Sequence, residues 1–204
     1  IEIILAFIVI SPILGTIAAF ILMTLVIKIF RKHNATYANR YFKRLQLLSA
    51  AAYSLSHGGN DAQKTMGIVA VLLFSSGYLG SEFYVPFWVA MMAHLAIALG
   101  TLSGGWRIIR TMGGKITKLD PMHGFSAETA GAAVIMGSTF FGIPVSTTHV
   151  IAGSIIGVGA TRRLSAVRWG LARRIMWTWI ITIPAASGMA ALLFYVLSAF
   201  MQLS

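Results

Sequence analysis

Ser56-His57-Gly58-Gly59-Asn60-Asp61-Ala62-Gln63-Lys64 lies in the middle of an otherwise apolar run from Leu45 to Ser75. The paired glycines predict that a helix unwinds here. Unwinding would free backbone carbonyls for a cation, while Asn60 or Asp61 caps a second half-helix whose N–H groups face an anion. A carboxylate at that depth costs several kcal/mol unless it is paired, protonated or bound to a cation, so Asp61 must have a partner. An Asp61 to Lys64 ion pair at i, i+3, serving only to neutralise two charges, is the alternative. It leaves the two glycines and Asn60 without a purpose.

The surrounding chain says what kind of protein carries this interruption. Of 204 residues, 57% are hydrophobic and 10% charged, with mean hydropathy +0.81. That is too little polar surface for a soluble fold. Sixteen Lys and Arg against five Asp and Glu give a net charge of +11. Nucleic acid is nevertheless excluded as a partner, because five apolar stretches near or above the roughly 20 residues that cross a bilayer separate the basic clusters. Without cysteine there is no disulfide framework and no thiolate metal site. No His/Cys cluster has metal-ligand spacing and no Gly-rich loop has the Walker pattern, so no cofactor and no ATP-driven pumping are expected. The chain opens on Ile1 and its first apolar segment is too long for a signal peptide, which predicts an internal or truncated piece of a multi-pass membrane protein.

Ile3 to Ile29 read as the first span, with Pro12 expected to kink it. Phe87 to Leu102 form another, and Ile175 to Phe200 the last, with Trp177 and Trp179 as interfacial anchors. Fifteen of the sixteen positive side chains fall in three segments read as loops: Lys28 to Arg44, Gly104 to Met122 and Thr161 to Arg174. The positive-inside rule makes all three cytoplasmic and puts the Glu82 loop and the C-terminus outside. Residues 123–160 must then leave the cytoplasmic side and return to it, yet the limb after His149 has too few residues to span. A re-entrant helical hairpin resolves this, with its tip, Gly142 to Thr148, inside the membrane and lining a site. The fold expected is all-α: about five transmembrane helices and one re-entrant hairpin, in a single membrane domain over 1–204.

At that tip, Pro144 stops the incoming limb and Ser146 makes an N-cap for the outgoing one. Ser146, Thr147 and Thr148 add hydroxyls beside the free amides of a helix start, a neutral donor cluster suited to an oxyanion. Hydroxyls that only satisfy helix ends, beside glycines that permit close packing, are the alternative. His94 reads as an interhelical hydrogen bonder, and His57 and His149 as end caps or proton shuttles. Glu128 reads as a snorkelling or ion-paired carboxylate, coupling-ion binding being the lesser option. An intramembrane hydrolase built on Ser146 and His149 is excluded because no acid orients the pair.

Ser56 to Ile68, SHGGNDAQKTMGI, resembles the signature of the inorganic phosphate transporter family, bacterial type. Gly100 to Lys118 and Phe141 to Gly157, FGIPVSTTHVIAGSIIG, are similar to the same family, so the likeness covers nearly the whole chain. The resemblance implies a secondary active transporter and not an enzyme: a symporter of phosphate with sodium or protons, in the plasma membrane, built from two inverted repeats. Each repeat contributes one Asn-Asp motif and one Ser-Thr-Thr hairpin. This chain resembles the C-terminal repeat, the N-terminal repeat being absent, so half of the expected site is missing and the chain by itself is expected not to transport. By the same resemblance Ser146, Thr147, Thr148 and Asn60 would bind phosphate, and Asp61, Asn60 and, more weakly, Gln63 would hold the coupling cation, with sodium possible at Asp61. Membrane lipid, the missing repeat and a homodimer are the other partners implied. A channel-like or structural membrane subunit without coupled transport is the alternative function.

Overall fold

The computed structural model describes residues 2–202, and among them there are helices and no strands. In chain order they are α1 (Glu2–Phe30), α2 (Ala35–Ser75), α3 (Phe87–Gly104), α4 (Trp106–Lys115), α5 (Pro121–Phe140), α6 (Thr147–Ala160) and α7 (Trp169–Gln202), with a 3-10 turn at Leu164–Ala166. The chain divides after Val167 into two compact units. Ala6–Phe30, Phe87–Gly104 and Trp169–Phe200 are each long and apolar enough to cross a membrane. α2 and α5 carry polar residues within their length, and α6 is short and apolar. The second unit is α7, a single long helix that runs through Pro184.

Three expectations about helix boundaries are corrected. The first basic segment is not a loop: α1 continues to Phe30, and α2 starts at Ala35 under an Asn34 cap whose side chain accepts from the Thr36 amide at 3.0 Å. The second basic segment contains α4. More important for function, α2 does not break at Gly58-Gly59 but runs unbroken for 41 residues. Each glycine costs about 1 kcal/mol relative to Ala in a helix, and a helix already propagating on both sides carries that cost without unwinding. Neither glycine takes the left-handed conformation. Asn60 and Asp61 therefore cap nothing, and no carbonyls are freed at this point.

In the first unit α1 packs on α6, α2 on α5, and α5 on α6. Backbones of α1 and α6 approach so closely that a Cβ on Gly153 would sit 2.1 Å from the Pro12 carbonyl oxygen, and one on Gly157 would sit 2.3 Å from that of Thr16. Thr16 Oγ1 donates to the Gly153 carbonyl at 3.0 Å and Ser154 Oγ to that of Gly15 at 3.3 Å, polar ties across a small-residue contact. Pro12 is accommodated inside α1. Having no N–H, it leaves the Ile8 carbonyl without its helical donor, and His149 Nδ1 of α6 lies 3.2 Å from that oxygen.

α5 and α6 form a helical hairpin. Asp120 caps α5, with Pro121 at its first position. The far end stops at Gly142, whose φ of +67° favours glycine and lets the Ile143 amide reach back to the Ser138 carbonyl at 2.8 Å. The turn is shorter than expected, since Thr147 and Thr148 already belong to α6.

Candidate functional site

The hairpin turn rests on a small core in which Ile135, Val145 and Val150 are buried, with Phe7, Tyr53, Val134 and Ile143 packed around them. Val145 is thereby held with its carbonyl toward α2, and the next residue starts α6. Ser146 is the N-cap, its Oγ accepting from the His149 amide at 3.5 Å. Thr147 is buried in the first helical turn while Thr148 is exposed. Free N–H groups and three hydroxyls collect at this helix start.

Opposite stands one face of the intact α2. His57, Asn60, Asp61 and Lys64 recur at helical spacing, so continuity of the helix is what aligns them. Asp61 is the centre: His57 Nδ1 lies 3.4 Å from Oδ2 and Lys64 Nζ lies 3.6 Å from Oδ1. Asn60 Nδ2 donates to Asp61 Oδ1 at 3.3 Å, and Thr147 Oγ1 donates across the interface to Oδ2 at 3.4 Å. Lys64 Nζ also donates to the Val145 carbonyl at 2.9 Å, an oxygen shared with Asn60 Nδ2 at 3.4 Å. Thr139 Oγ1 completes the Asn60 amide by donating to Oδ1 at 3.4 Å.

Between these elements lies a cavity of about 270 Å³ lined by Phe7, Ile8, Asp61, Lys64, Pro144, Val145, Ser146, Thr147 and Thr148. The two polar interruptions read from the sequence thus meet in one place. Asn60 is buried behind the wall and acts on Asp61 and Val145. Gln63 is exposed and outside the lining. A larger hollow of about 620 Å³ is lined by Trp106, Arg110, Thr111 and Lys115. Its described lining is basic and holds no carboxylate, and we place the functional site in the smaller cavity because donors and acceptors converge there.

The i, i+3 ion pair of Lys64 with Asp61 is present; its bond to the Val145 carbonyl was not legible in the sequence. Two further groups have partners that were not foreseen. Glu128 accepts from Ser49 Oγ at 2.6 Å, an α2 to α5 tie where a snorkelling or ion-paired carboxylate was expected. At the foot of the hairpin, Asp120 accepts from His123 Nδ1 at 2.7 Å and pairs with Arg162 Nη2 at 2.5 Å, closing the two limbs. Burial by itself would raise the Asp120 carboxyl. The His123 side-chain and backbone hydrogen bonds, with the charges of His123 and Arg162, outweigh it and hold the group at about 2 against an ordinary 3.8. The Asp120-Pro121 pair was a visible start signal for α5.

A profile described as the phosphate transporter family matches residues 1–190. The chain belongs to the phosphate transporter family. Similar proteins include a probable low-affinity inorganic phosphate transporter of Rhizobium meliloti, 60% identical over 188 residues covering 92% of this chain and 56% of the relative. A Bacillus subtilis protein of the same description is 45% identical over 190 residues, covering 93% of this chain and 57% of its own length. The chain therefore spans about half the length of these curated relatives. A solved structure described as the sodium-dependent phosphate transporter superposes with TM-score 0.82 at 24% identity, over 97% of this chain and 66% of that one. It establishes a shared fold. Membership of this family, together with the apolar helices, makes the chain an all-helical membrane protein, and half of a transporter accounts for its extent.

Proposed function

We propose that this chain is one half of an ion-coupled symporter of inorganic phosphate, a secondary active transporter and not an enzyme. The observation that carries the proposal is the meeting, in one cavity, of the Ser146, Thr147 and Thr148 helix start with Asp61 and Lys64 of α2. Phosphate would be held by the hydroxyls of Ser146, Thr147 and Thr148 and by the free amides of α6, while Asn60 orients Asp61 and the Val145 carbonyl. Neutral donors hold an oxyanion firmly enough to select it and loosely enough to release it on the far side. Asp61 would serve the coupling ion. Gln63 has no part in this shell. The names of the relatives support phosphate as the substrate, and that of the structural neighbour supports an ion as the driving partner.

In this reading 1–204 is a single membrane domain, α5 and α6 are the re-entrant hairpin, and the basic segments face the cytoplasm with the C-terminus outside. An inverted repeat, in the same polypeptide or a second copy, supplies the opposite half of the site. The test grafts this chain in place of the matched segment of the Rhizobium meliloti relative and measures uptake of labelled phosphate into cells. Thr147→Val and Asp61→Asn should each lower uptake by about tenfold or more, the effect of removing a hydrogen bond to a charged group, while membrane insertion stays normal. Unchanged uptake in both variants would refute the proposal and favour a structural or channel-like subunit.

A further inference from the structure

The geometry points to Lys64 as the resident cation of this site: its ammonium stands between the Asp61 carboxylate and the Val145 carbonyl, where a coupling sodium ion would have to bind. This half-site then takes its anion without sodium. The inference rests on the reading of the cavity as a phosphate site and adds the identity of its cation.

A hard cation is held by carboxylate, carbonyl and hydroxyl oxygens that are free to turn toward it. The oxygens available are those of Asp61, the Val145 carbonyl and Thr147 Oγ1, and donors of this chain already meet them. Lys64 Nζ is 2.9 Å from the Val145 oxygen and 3.6 Å from Asp61 Oδ1. Asn60 Nδ2 turns its N–H toward the same two atoms, at 3.4 and 3.3 Å. Asp61 Oδ2 faces Thr147 Oγ1 at 3.4 Å. The further carbonyls that a break in α2 would have offered remain within its continuous helix. A sodium ion placed beside Asp61 would also lie beside an ammonium, and like charges a few ångströms apart repel.

A lysine suits this role because it is a compact point charge on a flexible stem. Of its three N–H donors, one meets the Val145 carbonyl while Asp61 lies at ion-pair distance, which leaves donors for a phosphate oxygen in the cavity that Lys64 lines. The same ammonium thus balances Asp61 and attracts the anion, two tasks otherwise shared by sodium. Lys64 is in this view a specificity-determining residue, and the coupling ion would differ from that of the sodium-dependent structural neighbour.

The test is a titration of the purified graft of this chain into the Rhizobium meliloti relative, with sodium against potassium at constant ionic strength, read by saturable binding of radioactive sodium and by melting temperature; wild type here means the graft without further substitution. The wild type should bind no sodium saturably and melt alike in both salts. Lys64→Gln should gain a sodium-specific, saturating rise in melting temperature, as a ligand bound only by the folded state produces. Saturable sodium binding by the wild type, or a folded Lys64→Gln that gains none, would overturn the assignment. If Lys64→Gln does not fold, Lys64→Met replaces it, and the wild-type arm by itself still decides. Binding of labelled phosphate is measured on the same samples. Failure of the wild type to bind it would defeat the phosphate reading and leave the sodium result standing.

Discussion

The contact between His149 and the carbonyl that Pro12 leaves open gives a prediction whose size can be worked out. His149 Nδ1 is 3.2 Å from the Ile8 oxygen, and the ring is buried at 8% exposure. His149→Ala removes the imidazole and leaves that oxygen without its donor. The first effect creates space in a packed contact and the second strands an acceptor, each costing about 1–3 kcal/mol. Only the second depends on Pro12. Pro12→Ala restores a backbone N–H for the Ile8 carbonyl, so in that background His149→Ala should lose only the packing part. A double-mutant cycle on purified protein, read by reversible thermal or denaturant unfolding in detergent, should give a coupling energy of about 1–2 kcal/mol. His149→Ala would then melt several degrees lower in wild type and markedly less so beside Pro12→Ala. Equal losses in the two backgrounds would refute the argument, leaving His149 as a packing residue only.

Other substitutions test the remaining contacts. Gly153→Ala places a Cβ against the Pro12 carbonyl and must push α6 from α1. Overpacking of about 1–3 kcal/mol should exceed the roughly 1 kcal/mol that Ala gains as a helix former, so the melting temperature falls. Gly137→Ala, where a Cβ meets nothing within 4 Å, should melt at or slightly above wild type. Asp120→Asn should remove a pH-dependent stability. The native carboxyl titrates at about 2 and its ordinary value is 3.8, so the stabilisation is fully present above about pH 4 and is lost as pH falls through about 2. With the side chain 45% exposed, solvent screening brings its worth down to about 1 kcal/mol, measurable as the difference in unfolding free energy between wild type and Asp120→Asn at pH 6 and its disappearance in acid. Glu128→Gln and Ser49→Ala should each destabilise by about 1–2 kcal/mol and be non-additive in a cycle, because they share one charge-assisted hydrogen bond.

The site was legible in the sequence to the extent that chemistry is expensive in an apolar setting. Asp61 and the Ser146 to Thr148 cluster stood out because each polar group there needs a partner, and a hairpin was called for because the chain after His149 was too short to cross. The cap at Ser146 follows from local backbone rules and the structure has it, whereas the incoming limb ends at Phe140, beside the positive-φ Gly142 and before Pro144 is reached. The break at Gly58-Gly59 was misjudged for an equally physical reason. Glycine propensity is a local cost of about 1 kcal/mol per residue, and the outcome depends on whether the helix on both sides outweighs it.

Residue type and spacing by themselves therefore determined an all-helical membrane protein, its basic segments and two polar clusters, and the resemblance of three stretches pointed to its family. Tertiary structure decided what those clusters do to each other. Val145 and Lys64 are 81 positions apart, and no periodicity along the chain predicts that a lysine on an unbroken α2 will fill the oxygen cage beside Asp61. That follows only from the packing of the hairpin turn on its small core, which carries the Val145 carbonyl and the Thr147 hydroxyl to the face where helical spacing had already gathered Asn60, Asp61 and Lys64.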